Sequence, residues 1–258
     1  MEEDLSKSLE VHATEQLPEF IYKYKPIDQY LYESIINGEI WFASPLEFND
    51  PFDSNIIIDE NTSEEQIKKY FEIVYEGKNN QEEIQNLFKE VVEKPDAFRE
   101  VIHNDTKSLL LAQGVACFSR CNDNLLMWSH YADRHKGICL KFEVAKDREV
   151  FHPMFDVSYP RDYPLYDYLN HQEELVKIMK TKSADWQYEQ EVRVIKPKRG
   201  VYKFKKEALS EVIFGCRASE RQIETLTNLV KNNGYSNVTF TRTKMKPLQY
   251  GLDFEKIG

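Results

Sequence analysis

Ala184–Ile195, ADWQYEQEVRVI, runs from a polar segment around Trp186 into β-branched sequence. From Tyr188 onward it is rich in β-branched residues and reads as a strand. A strand turns successive side chains to opposite faces. One face then carries Tyr188, Gln190, Val192 and Val194, and the other carries Glu189, Glu191, Arg193 and Ile195. Two carboxylates and a guanidinium share a side, next to Trp186. Either this is a solvated outer face, where Glu and Arg pair at little gain, or it is a cleft wall with an acid aimed at a ligand.

Working outward, PKRG and Val201–Lys205 extend the strand into a hairpin. His171–Lys182 has helical spacing. Upstream, Val115–Arg120 (VACFSR), Gly137–Val144 (GICLKFEV) and Phe155–Tyr159 read as strands, with a short helix over Asn124–Asp133. Downstream come a strand at Glu211–Gly215, a helix capped by Ser219 with Gln222 at its third position, a strand at Val238–Arg242, and the tail around Leu248–Phe254. Nearer the start, Phe20–Lys25 (FIYKYK) and Glu39–Ser44 (EIWFAS) flank a helix over Ile27–Asn37 that Gly38 ends.

Residues 60–112 differ. Thr62 and Glu65 form a T-x-x-E capping box, charged amphipathic helix runs to Glu93 with a break near Gly77–Asn80, and another helix covers Asp96–Ala112. Grouped strands with segregated helices predict an α+β fold rather than a doubly wound one. The expected organisation is a flexible leader over residues 1–17, then one domain over 18–258 with a helical insertion at about 60–112.

Composition narrows the functional classes. Of 258 residues, 41% are hydrophobic and 13% aromatic, which is enough for a sizeable core. Acidic residues outnumber basic ones 44 to 34, for a net charge of −10, which argues against general nucleic-acid binding. The polar N-terminus and the lack of a long apolar run predict a cytoplasmic protein with no membrane association. Cys117, Cys121, Cys139 and Cys216 form no C-x-x-C pair and read as buried free thiols. Cys117 and Cys121 with His130 and His135 fit no common zinc spacing, so no metal site is expected.

Three further stretches could carry chemistry. Ala116–Phe142 places Ser119 at a strand end before a helix bearing Trp128, His130 and Tyr131, an arrangement that builds pockets or simply packs a core. Trp41–Asp53 (WFASPLEFNDPFD) is an apolar loop that reads as a lid or as a locally packed Ω-type loop. Arg193, Lys196, Lys198, Arg199, Lys203, Lys205 and Lys206 form a basic stripe that could meet phosphates or sit solvated.

Taken together, FIYKYKP, GEIWFASPLEFNDPFD, ACFSRCNDNLLMWSHYADRHKGICLKFE, WQYEQEVRVI and VIFG resemble the bacterial family called domain of unknown function 2971 (DUF2971), over roughly residues 20–250. More distantly, the order of pieces is similar to the ADP-ribosyltransferases, and most closely to the DarT-like toxins that modify DNA. That resemblance implies a mixed or antiparallel β core and ADP-ribose transfer from NAD to a nucleic-acid or protein acceptor, in a toxin or phage-defence setting. It implies Glu191 as the residue that stabilises charge on the ribose and Glu189 as the one that activates the acceptor. It implies NAD contacts from Lys23, Tyr24, Lys25, Ser44, Ser119, Trp128, Tyr131, Trp186 and Arg193. The first strand departs from the pattern, with Lys23, Tyr24 and Lys25 where many transferases carry His or Arg, and Lys lacks the Arg fork. Two other readings stand beside it. One is a non-catalytic module holding a nucleotide or peptide at Trp41, Trp128 and Tyr131. The other is a metal-dependent nuclease using Asp50, Asp53, Glu189 and Glu191.

Overall fold

A computed structural model describes residues 9–11, 13, 14, 16–58, 63–77, 80–167 and 171–257. Its strands are β1 (Phe20–Lys25), β2 (Glu39–Phe42), β3 (Ile57–Ile58), β4 (Gly114–Ser119), β5 (Ile138–Glu143), β6 (Met154–Asp156), β7 (Leu165–Tyr166), β8 (Glu191–Lys196), β9 (Gly200–Lys203), β10 (Leu209–Phe214), β11 (Thr239–Met245) and β12 (Leu252–Lys256). The helices that matter are α1 (Gln29–Asn37), α2 (Glu64–Val74), α3 (Gln81–Glu93), α4 (Pro95–Ala112), α5 (Leu125–Tyr131), α6 (Arg148–Phe151), α7 (His171–Met179) and α8 (Glu220–Asn232). The fold is α+β.

Eight strands form the main sheet in the order β12-β11-β10-β5-β1-β4-β8-β6. β1 lies inside it, antiparallel to β5 from Phe20–Glu143 to Lys25–Ile138 and to β4 at Tyr22–Ser119. β10 and β11 are parallel, joined by α8, so the sheet is mixed. Alternation along β8 decides what each face meets. Val192 and Val194 join a core with Leu31 and Ile35 of α1 and Leu226 and Val230 of α8. Ile195 enters a second core built from α2–α4 and α7 through Phe71, Phe98, Leu110 and Leu175. Glu191 and Arg193 lie on this second side.

Local sequence explains the element ends. Asp28 accepts the Leu31 N–H at the start of α1, and Gly38 closes it at φ 67°, which glycine adopts without steric cost. The capping box of α8 forms from Ser219 and Gln222 as expected. That of α2 forms one residue later than expected, from Ser63 and Gln66, and Thr62 lies outside the described residues.

The expected hairpin across PKRG does not form. β8 pairs with β4 and β6, whereas β9 pairs with β2 in a separate two-stranded sheet. The chain crosses tightly over β4 between them. A Cβ on Gly114 would sit 2.4 Å from the Lys198 carbonyl oxygen, and the Arg199 N–H donates to Ala112 O. Within the expected leader, the described residues make contacts with the domain. Leu9 is 1% exposed in the second core, and the Thr14 N–H donates to Met154 O on the outer side of β6. Among the described residues no helix is long and apolar enough to cross a membrane.

Candidate functional site

Five charged side chains converge where β8 begins. Lys182 follows α7, Glu189 ends the 3-10 turn Ala184–Glu189, Glu191 and Arg193 stand on β8, and Asp53 comes from the loop after the Ser44-capped turn Pro45–Glu47. They line a cavity of about 220 Å³ together with Lys23, Tyr24 and Lys25 of β1, Ser119 of β4 and Tyr131 of α5.

Arg193 is 0% exposed and joins the cluster together. Its Nε donates to Glu191 Oε1 at 2.7 Å, its Nη1 to Asp53 Oδ1 at 3.0 Å and Met179 O at 2.7 Å, and its Nη2 to Asp53 Oδ2 at 2.6 Å and Glu191 Oε2 at 3.3 Å. Lys182 Nζ donates to Glu189 Oε2 at 2.5 Å and Glu191 Oε2 at 3.2 Å. Tyr131 OH donates to Glu189 Oε1 at 2.6 Å. Charged groups withdrawn from water survive only when paired in this way.

The two glutamates differ in acidity. Burial raises Glu189 above the usual carboxylate value, and the pull of Lys182 and Tyr131 does not fully offset it. Burial also works to raise Glu191, but Arg193 and Lys182 outweigh it and hold the carboxyl down at about 2. The ion pairs hold Glu191 as an anion, and burial makes Glu189 the weaker acid of the two. Lys23 is pushed down to about 8, first by burial and then by Lys25. Its Nζ donates to Cys117 O at 2.8 Å and lies 4.8 Å from the Phe118 ring centroid. Burial pushes the Cys117 thiol up, away from the thiolate.

Glu189 reaches this site by a route that strand periodicity did not foresee. It sits in the 3-10 turn, and Gln190, at φ 44°, breaks the backbone before β8 starts at Glu191. Ser119 Oγ donates to Glu189 O at 2.6 Å, the Arg120 N–H to Gln190 O at 2.9 Å, and the Glu191 N–H to Tyr159 Oη at 2.7 Å. These bonds hold a left-handed residue that would otherwise be unfavourable.

A second cavity of about 620 Å³ adjoins the first and shares Lys182 as a wall. Trp186 lines this second cavity rather than the first, with Lys182 Nζ 4.8 Å from its ring centroid. Other expected residues fall elsewhere. Ser44 is buried as a capping residue and lines neither cavity, because its hydroxyl serves the N–H of Leu46. Trp128 is buried under the site, edge-on to Tyr24 at 5.3 Å, with its Nε1 donating to Asn122 O. Trp41 is 54% exposed on β2, so Trp41, Trp128 and Tyr131 do not line one pocket.

The basic stripe is also dispersed. Arg193 and Lys196 are buried, Lys196 Nζ donates to Glu149 O and His152 O, and Arg199 pairs with Glu47. Among the described residues no group of three or more His, Cys, Asp and Glu is arranged to hold a metal ion. Asp53, Glu189 and Glu191, three of the four carboxylates of the nuclease reading, meet Lys182 and Arg193 in ion pairs. Lys182 and Tyr159 went unforeseen. The one sequence signal for Lys182 was that two expected carboxylates and one arginine leave an anion to balance.

Neither the curated proteins nor the solved structures contain a match to the chain. No comparison supports the transferase resemblance. Residues 127–194 match the model of a family described as "Protein of unknown function (DUF2971)", a shorter span than the motifs imply, and one that holds Tyr131, Lys182, Trp186, Glu189, Glu191 and Arg193 while leaving out Lys23, Asp53 and Ser119.

Proposed function

We propose that this chain transfers ADP-ribose from NAD, its substrate, to a macromolecular acceptor. The observation that carries the reading is the pair Glu189 and Glu191, lining one cavity with Lys23 of β1 and Ser119, with their acidities pushed in opposite directions. Cleavage of the nicotinamide–ribose bond develops positive charge at the ribose C1′, and the bonding pair leaves with nicotinamide. An obligate anion beside that carbon stabilises the charge without having to reorganise, and Glu191 is that anion. The acceptor's nucleophilic atom bonds to C1′ and gives up its proton, which Glu189 accepts. Lys23 leaves N–H donors for a substrate phosphate, since its one hydrogen bond among the described residues is to Cys117 O. The toxin or phage-defence setting comes from the resemblance to DarT-like proteins and from nothing else.

The test is incubation of the protein with cell extract and NAD labelled in its adenylate phosphate. Wild type labels a macromolecule and releases nicotinamide, and Glu191→Gln lowers both by roughly a hundredfold or more. Absence of label from wild type, or a Glu191→Gln variant equal to it, refutes the reading.

A further inference from the structure

We infer that the 620 Å³ cavity beside the charged cluster is a chamber for a cationic group, the guanidinium or ammonium of a basic protein side chain. Its service as the acceptor's chamber rests on the transferase reading; its preference for a cation does not.

Position is the first support. Lys182 walls both cavities, so a group in the larger one lies one side chain away from Glu189 and Glu191. The walls are the second. Phe52, Tyr163 and Trp186 line the cavity, and Phe52 keeps 66% of its surface exposed, as a ring waiting for a partner would. An aromatic face attracts cations through its quadrupole, and Trp186 already takes Lys182 Nζ at 4.8 Å from its centroid.

Charge is the third. Asp50, Asp162 and Asp185 line the cavity against Arg161, while the charge of Lys182 is taken up by Glu189 and Glu191. The excess is negative, in a chain whose net charge is −10. Such a chamber repels a phosphate backbone and draws in a basic side chain. Aromatic walls with carboxylates among them suit a cation on an apolar stem.

The experiment is calorimetric titration of the full chain, without NAD, using butylguanidinium and its neutral isostere butylurea, with a thymidine oligonucleotide as the polyanionic arm. Butylguanidinium binds, and butylurea binds at least about tenfold more weakly. Trp186→Ala weakens the guanidinium about tenfold, and so does the double variant Asp162→Asn/Asp185→Asn, whose changes are at exposed positions and leave the core intact. Equal binding of butylurea, indifference of the double variant, or displacement by the oligonucleotide overturns the inference. Because NAD is absent, a positive titration with no labelling in the earlier assay sinks the transferase reading alone. Labelling with no cation preference sinks the chamber alone.

Discussion

Replacing Arg193 with methionine keeps the apolar stem and removes the guanidinium that joins Asp53 to Glu191. In the wild type that group donates to both carboxylates and to Met179 O while shut off from solvent. The variant leaves Asp53 and Glu191 with Lys182 as their nearest cation, at 4.0 Å and 3.2 Å and shared with Glu189. Breaking a buried ion pair from one side costs roughly 3–5 kcal/mol, because the remaining charge is uncompensated. Urea unfolding followed by far-ultraviolet circular dichroism measures it. The pH dependence supplies a second check. Glu191 is held at about 2, below its ordinary 4.5, so the stability it lends is complete above 4.5 and lost as the pH falls toward 2. The gap between wild type and Arg193→Met is therefore widest near pH 7 and narrows below pH 4.5. Adding Asp53→Asn to the variant costs less than the two single losses combined, since the partners are in contact. A loss under about 1 kcal/mol near neutral pH, or a gap that stays constant down to about pH 3, would refute the network as described.

Lys23→Met should stabilise the fold near neutral pH, because a lysine held at about 8 instead of 10.5 is charged at a cost. The gain is at most about 3 kcal/mol, roughly half that once solvent in the cavity screens the charge. It fades as the pH rises from 8 to 10.5, and a gain that persists at high pH rules the explanation out. Gln190→Val should cost about 2 kcal/mol while Gln190→Gly is neutral or mildly stabilising, since a β-branched residue tolerates φ 44° poorly and glycine does not mind it; thermal melts of the two variants decide. Gly215→Ala should cost roughly 3 kcal/mol or more, because its Cβ would stand 2.1 Å from His135 O, and denaturation midpoints would show it.

The α+β class was legible because strand and helix periods are written in single segments, and the split of Val192 and Val194 from Glu191 and Arg193 followed from pleat alone. Partner choice was not legible. Nothing in PKRG tells β9 to pair with β2, since that depends on how Lys198–Arg199 pass over Gly114. The site was half legible. Glu189 and Glu191 were expected together and are together, through a 3-10 turn and a left-handed residue rather than strand alternation. Lys182 and Asp53 are brought in from other segments, Asp53 lying 140 residues from Arg193, and no local pattern reports such a meeting. Trp128 stayed open between pocket and core in the sequence, because a large ring at helical spacing serves either, and the structure buries it in a core.

The inner position of β1 has a consequence for how the molecule comes into being. Phe20–Lys25 is made before the strands on either side of it, β4 and β5, which come only after the three helices α2, α3 and α4. Until then an apolar and aromatic segment, FIYKYK, has both edges unsatisfied. Non-local pairing of this kind slows folding and leaves strand edges open to other chains. Production of this protein should therefore be limited by capture of its own first strand during synthesis, and a truncation ending before Ile138 should aggregate rather than fold.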